Sequence, residues 1–164
     1  MIMLGIDPGL ATLGYGVIEA KAEKQRLIQY GTITTPAKMD IPHRLQLIHP
    51  RMNELLDTYI PDEVAFEELF FSKNITTGIS VSMARGVAIL AVIERTGELY
   101  EYTPMQIKQA VTGYGGADKS QVQNMVRILL GMQEIARPDD AADALAVAIT
   151  HANSLNAKKM FRIQ

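Results

Sequence analysis

The chain contains no cysteine. Disulfides and thiolate metal sites are therefore excluded, and any bound cation must rest on oxygen or imidazole ligands. An excess of charge is missing as well: 16 Lys and Arg stand against 18 Asp and Glu, a formal charge of −2. That balance speaks weakly against a nucleic-acid partner, whose domain is usually basic. Net charge is a blunt guide, because acids gathered in one site can mask a basic groove around it. No run of about 18 or more uncharged apolar residues is present, so no membrane span is expected. Met1 and Ile2 open straight into a strand-like pattern, so no signal peptide is read and the expected location is the cytoplasm. Internal repeats and low-complexity tracts are lacking too.

What is present is 164 residues, 48% hydrophobic and 21% charged, enough for one soluble domain with a proper core. Leu4 and Ile6 read as strand, Pro8-Gly9 as turn, and Leu13, Tyr15 and Val17 as a second strand. Asp7 is thereby displayed at the mouth of a hairpin. A third strand over 26–35 completes an antiparallel meander. Leu45, Ile48, Met52, Leu55 and Leu56 fall at helical spacing and predict a helix over 42–59. Pro50 sits inside it, at an expected cost of about 3 kcal/mol or a kink. A short buried strand follows over 62–67. Asn74 then caps a long helix reaching residue 96, with Ile75, Ile79, Met83, Leu90 and Ile93 on one side. Gly78, Ser82 and Gly86 recur along it as a stripe of small residues, suited to close packing on the sheet or against a second copy of the chain. Arg85 and Glu94 speak against a membrane role for this helix.

A fifth strand is expected over 98–103, then helices over 104–111, 120–130 and 138–154, and a frayed end with three basic residues. Strand–helix alternation after a meander implies a mixed five-stranded sheet with helices on both faces.

Polar residues at strand ends matter in such a sheet, because ligands gather outside the carboxyl ends of strands. Asp7 ends the first strand. Glu67 ends the fourth, after Val64-Ala65-Phe66, a stretch too apolar for a casual charge. The last helix begins PDDAADALAVAITHA, where Asp140 and Asp143 share a face and Asp139 reads as the cap. Asp143 is flanked by Ala141, Ala142, Ala144 and Leu145, and the alanines let this helix approach the sheet closely. An aspartate there suffers like-charge repulsion unless a cation neutralises it. Asp7, Glu67, Asp140 and Asp143 offer hard oxygen ligands that suit magnesium or manganese. Phosphoryl chemistry with two metals about 4 Å apart is the natural work of such a set. The competing reading is a scatter of caps and surface acids.

GYGGADKS, over 113–120, imitates a phosphate loop, but Asp118 replaces the second glycine and no strand precedes it. That reading is rejected. Lys119 stands at a helix start, where the dipole disfavours a cation, so it either meets an anion or is a solvated surface lysine. Lys108 is a candidate of the same kind. Phe70 and Phe71, in EELFFSKN, are core residues, or one is exposed beside the polar loop to stack on a base. His43, His49 and His151 show no ligand spacing, and His151 reads as favourable to its helix dipole.

Taken in order, GIDPGLATLGYGVIE, FEELFFSKN, ARGVAILA, DKSQVQNMVRILLG and DDAADALAVAITH resemble the RuvC Holliday-junction resolvases, the crossover junction endodeoxyribonucleases, across essentially the whole chain. The resemblance implies an α/β, RNase H-like nuclease domain over 1–156 and a short basic tail over 157–164. It implies that Asp7, Glu67, Asp140 and Asp143 bind Mg²⁺, two ions per subunit during catalysis, with Mn²⁺ as a substitute. Lys119 and Lys108 then support catalysis and contact DNA, Phe70 is the stacking aromatic at the junction, and Phe71 and Lys73 are further DNA contacts. A homodimer nicking four-way DNA junctions in symmetric pairs follows from the resemblance, leaving 5′-phosphate and 3′-hydroxyl ends in recombination and DNA repair. So does cooperation with the RuvA–RuvB branch-migration motor, with no membrane partner. The competing readings are a different RNase H-like nuclease, a silent junction-binding module, and an actin- or sugar-kinase-like ATPase. The last needs two lobes where 164 residues supply one.

Overall fold

The computed structural model describes residues 1–21, 24–69 and 75–163, and leaves out the side chains of Ile75 and Thr76. Phe70, Phe71, Lys73 and Asn74 lie outside the described residues. Strands β1 (Ile2–Asp7), β2 (Thr12–Lys21) and β3 (Lys24–Thr34) form the antiparallel meander. β4 (Glu63–Glu67) and β5 (Tyr100–Tyr102) run parallel to β1, giving one five-stranded sheet in the order β3-β2-β1-β4-β5. The two-residue period of a strand splits β1 between two cores. Leu4 and Ile6 pack with Ile48, Met52 and Leu56 of α1 (Ile41–Tyr59) and with Ala84 and Ala88 of α2 (Ile75–Thr96). Met3 faces the other layer, made by α3 (Pro104–Thr112), α4 (Lys119–Leu129) and α5 (Asp139–Asn153). Helices cover both faces, as the alternation predicts, and α1 runs on through Pro50.

α5 is seated unusually low. It presents Asp140, Ala144, Leu145 and Ala148 to the sheet, and the strands beneath answer with glycine. A Cβ on Gly5 would overlap the carbonyl oxygen of Ala144, and one on Gly14 would overlap that of Asp140. Gly5 pairs with Gly16, and Asp7 with Gly14, across β1 and β2. The helix backbone therefore rests on strand backbone with no side chain between them.

α2 departs from expectation. The side carrying its large apolar residues faces outward: Ile79 is 53% exposed and Leu90 50%, with Met83 and Ile93 also exposed. Ala84, Ala88, Ala91 and Val92 form the buried side. Both sides are apolar, so periodicity finds the stripe without telling which one is core, and alanine wins because it lets α2 approach α1 closely. Thr77–Thr96 is also long and apolar enough, by length and composition alone, to cross a bilayer, although Arg85, Glu94 and Arg95 interrupt it, so no uncharged run of that length exists. Within it, Arg85 is paired with Glu101 of β5 at 2.6 Å, and the alanine side belongs to the core of the sheet.

Two further expectations are corrected. The chain end is not frayed: Leu155–Phe161 is a 3-10 helix, Phe161 stacks 4.7 Å from Tyr102, and Lys158 pairs with Glu63. His151 does not serve the helix dipole. It is fully buried, with Nε2 2.7 Å from the Glu63 carboxylate and Nδ1 2.8 Å from the Tyr102 hydroxyl. Burial outweighs Glu63 and holds its pKa below the ordinary value, so the ring is neutral, donating to Glu63 and accepting from Tyr102.

Gly5→Ala should lower stability by about 1–3 kcal/mol, because a backbone carbonyl cannot yield as a flexible side chain would. Urea denaturation at the wild-type midpoint would show that α5 does not rest on the strand.

Candidate active site

Asp7 is the last residue of β1. Parallel register sets Ile6 beside Phe66, so Glu67, one residue on, comes up next to Asp7. On the other side Asp7 pairs with Gly14, and the Asp140 backbone lies directly over Gly14. Asp143 follows Asp140 on the same helix face. Two strands and α5 thus bring all four acids to one end of the sheet.

Asp139 is not the cap that the sequence leads one to expect. Pro138 holds that position with no side-chain bond, and Asp139 is the first helical residue. Arg137 sits on one of its carboxylate oxygens, and Lys119 Nζ stands 3.5 Å from the other. This arrangement had no local signature, because Lys119 arrives from another helix.

The phosphate-loop lookalike is a capping box. Asp118 accepts from the Gln121 N–H at 2.9 Å, and the Gln121 side chain accepts from the Asp118 N–H at 2.8 Å. Lys119, the next residue, donates to Asp143 Oδ2 at 2.9 Å. The anions that meet this lysine are the chain's own. Lys108 is carried by α3, which Thr103 caps and Pro104 opens. It lines a cleft of about 260 Å³ with Glu67, Lys119 and Asp143, walled by Ile107, Val122 and Ala146.

Burial, then the nearby charges of Glu67, Asp143 and Asp140, push the Asp7 carboxyl up to about 8, against the pull of Lys119. Burial and Asp143 push Glu67 up to about 7, against Lys119 and Lys108. Asp143 is also raised, chiefly by burial, while Lys119 restrains it. Among the described residues no three His, Asp or Glu side chains are arranged, as they stand, to hold a metal ion. The carboxylates repel one another instead, and Lys119 occupies Asp143. Crowded, desolvated oxygen ligands with too little positive charge fit a hard divalent cation.

The mixed sheet in this strand order, with carboxylates from β1, β4 and the last helix at one end, agrees with the RNase H-like fold that the sequence resemblance implies. The family model of crossover junction endodeoxyribonuclease RuvC matches residues 3–151, and the chain belongs to that family. The crossover junction endodeoxyribonuclease RuvC of Alkaliphilus metalliredigens is 53% identical over 164 residues, covering 100% of both chains. That of Clostridioides difficile is 52% identical over 162 residues, 99% of this chain and 96% of its own. The structure of T. thermophilus RuvC in complex with Holliday junction substrate superposes with a TM-score of 0.90 at 35% identity, covering 99% of this chain and 100% of that one. Membership of this nuclease family implies dependence on a divalent metal.

Asp7 and Glu67 have folded-state pKa values above their ordinary ones, so the stability they contribute is full below the ordinary values. It is lost as pH rises through about 7 for Glu67 and about 8 for Asp7. Metal-free protein should therefore melt at lower temperature at about pH 8 than at about pH 6, and Mg²⁺ should raise Tm more at the higher pH. Asp7→Asn should be at least as stable as wild type in chelator at the higher pH. A Tm that rises with pH would mark the acids as hydrogen-bonded structural groups.

Proposed function

We propose that this chain resolves four-way DNA (Holliday) junctions by hydrolytic nicking with Mg²⁺, which Asp7, Glu67, Asp140 and Asp143 hold and Mn²⁺ can replace. The observation that carries this reading is the convergence of those carboxylates, with Asp7 and Glu67 pushed up to about 8 and about 7, in a chain of the RuvC family. The relative solved with a Holliday junction substrate supports the choice of DNA. A bound divalent cation supplies the charge that activates water and offsets the scissile phosphate. The chain's own part is positional. Strand ends fix Asp7 and Glu67, and α5 fixes Asp140 and Asp143. Lys108 and Lys119 bring ammonium groups to the cleft, where charge develops on the phosphate. Phe70, three residues past Glu67, is assigned to stacking at the junction, with Phe71 and Lys73 as further contacts. Products with 5′-phosphate and 3′-hydroxyl ends, a RuvA–RuvB partner and a cytoplasmic location complete the reading.

Two nicks need two sites, and α2 offers the means of pairing them. Ile79, Met83, Gly86, Leu90 and Ile93 recur at alternating steps of four and three, the heptad spacing of a helix seam, and all are exposed. A Cβ on Gly86 would touch nothing within 4 Å. This row shares Gly86 with the Gly78-Ser82-Gly86 stripe, whose Ser82 hydroxyl donates to the Gly78 carbonyl at 2.9 Å and so adds no unpaired polar group beside the seam. A two-fold axis near Gly86 lets two α2 helices cross closely and covers both rows at once.

Asp7→Asn, Glu67→Gln and Asp143→Asn should each abolish cutting of a labelled four-way junction in Mg²⁺ while binding it nearly as wild type does. Near-normal cutting by any one removes that residue from the metal set. Leu90→Asp should turn the dimer into a monomer in sedimentation, and a wild-type monomer at assay concentration would overturn the pairing.

A further inference from the structure

We propose that Asp139 is a positioning residue, a second seat for the Lys119 ammonium that lets this lysine yield Asp143 to a metal ion without leaving the site. The inference rests on the metal reading given above. Lys119 Nζ lies between two carboxylates of α5, donating to Asp143 Oδ2 at 2.9 Å and standing 3.5 Å from Asp139 Oδ2. Asp139 and Asp143 are four residues apart and share a helix face, so moving from one to the other needs a shift of the ammonium alone.

Lys119 and a divalent cation compete for the same oxygen of Asp143. Displaced without a substitute, a long and partly exposed lysine would turn to water, and its charge would leave the cleft. Asp139 prevents this, because one of its oxygens is engaged by another cation and the other faces the lysine. Arg137 takes Oδ1, which leaves Oδ2 turned toward Lys119. From α4, the side chain of Gln123 is 6% exposed, and its Nε2 meets no acceptor at hydrogen-bond distance among the described residues. The carboxylate within its reach is that of Asp139. A loop arginine thus holds one oxygen of the seat, and an unpartnered buried amide stands near it. Nor does Asp139 serve as the cap of α5, a position that Pro138 holds.

The consequence is a coupling between Asp139 and Lys119 that shows in metal affinity. Without Asp139, the lysine has Asp143 as its nearest anion, and the cation must break a more exclusive pair. Without Lys119, Asp139 acts on the metal only as a distant charge. Calorimetric titration of the full chain with Mg²⁺ at fixed ionic strength separates the two roles. Asp139→Asn should weaken Mg²⁺ binding about 3–10-fold when Lys119 is present, and less than about 2-fold in a Lys119→Met background. Equal weakening in both backgrounds overturns the inference, because a mere charge effect is blind to Lys119. Asp143→Asn serves as the control. Unchanged Mg²⁺ binding by that variant overturns the metal reading and this inference with it. Lost binding by that variant, with equal Asp139 effects in the two backgrounds, overturns the inference alone.

Discussion

Ala144 of α5 lies against Gly5 of β1 with no side chain between them, and one turn earlier Asp140 lies in the same way over Gly14. Everything at the acid end of the sheet inherits its position from this seating. Asp7 and Glu67 are placed by strand register, which is rigid, but Asp140 and Asp143 ride on a helix whose height depends on what separates it from the sheet. Any Cβ at Gly5 or Gly14 would lift that helix and draw half the carboxylates away from the other half. The same contact removes water from Asp7, which is why burial leads the causes that raise its pKa.

Low seating is also a burden. Asp7, Glu67 and Asp143 are desolvated and repel one another, and within the chain Lys119 and Lys108 offset only part of that repulsion. The molecule tolerates it because the stabilising work is done elsewhere. The cores on the two faces of the sheet are almost wholly apolar, and the Glu63–His151–Tyr102 chain of hydrogen bonds, with Lys158 on the Glu63 carboxylate, ties β4, β5 and α5 together. Strain from like charge is thus confined to the end where a cation can relieve it.

Much of this was legible in the sequence, and the failures share a cause. Strand period, turn residues and the apolar setting of Glu67 are local signals, so the meander, the mixed sheet and the acids could be read directly. What escaped depends on partners far apart in the chain. The value of Gly14 lies in Asp140, the partner of His151 is Glu63, 88 residues away, and Asp139 is engaged by Lys119 of α4. α2 misled for a different reason: alanine and isoleucine both count as apolar, yet close helix packing selects the smaller residue for the inside. The chain end looked too polar to pack, but Lys158 finds a buried carboxylate and Phe161 an aromatic neighbour.

That chain end has a consequence for colloidal behaviour. β5 is a three-residue strand at the margin of the sheet, where unpaired N–H and C=O groups invite strand addition from another molecule. Arg162 bridges to Tyr100, and the Ile163 N–H donates to the Leu99 carbonyl at 3.0 Å, so the last residues lie along that margin and close it. The opposite margin, β3, carries Lys24 and Arg26 near its start, charges that discourage edge-to-edge growth. Both margins of the sheet are thereby guarded against strand addition, while the exposed apolar row of α2 lies away from them. A chain cut short before Lys158 would lose the guard on β5, and its first defect would be precipitation by strand addition rather than a failure of chemistry.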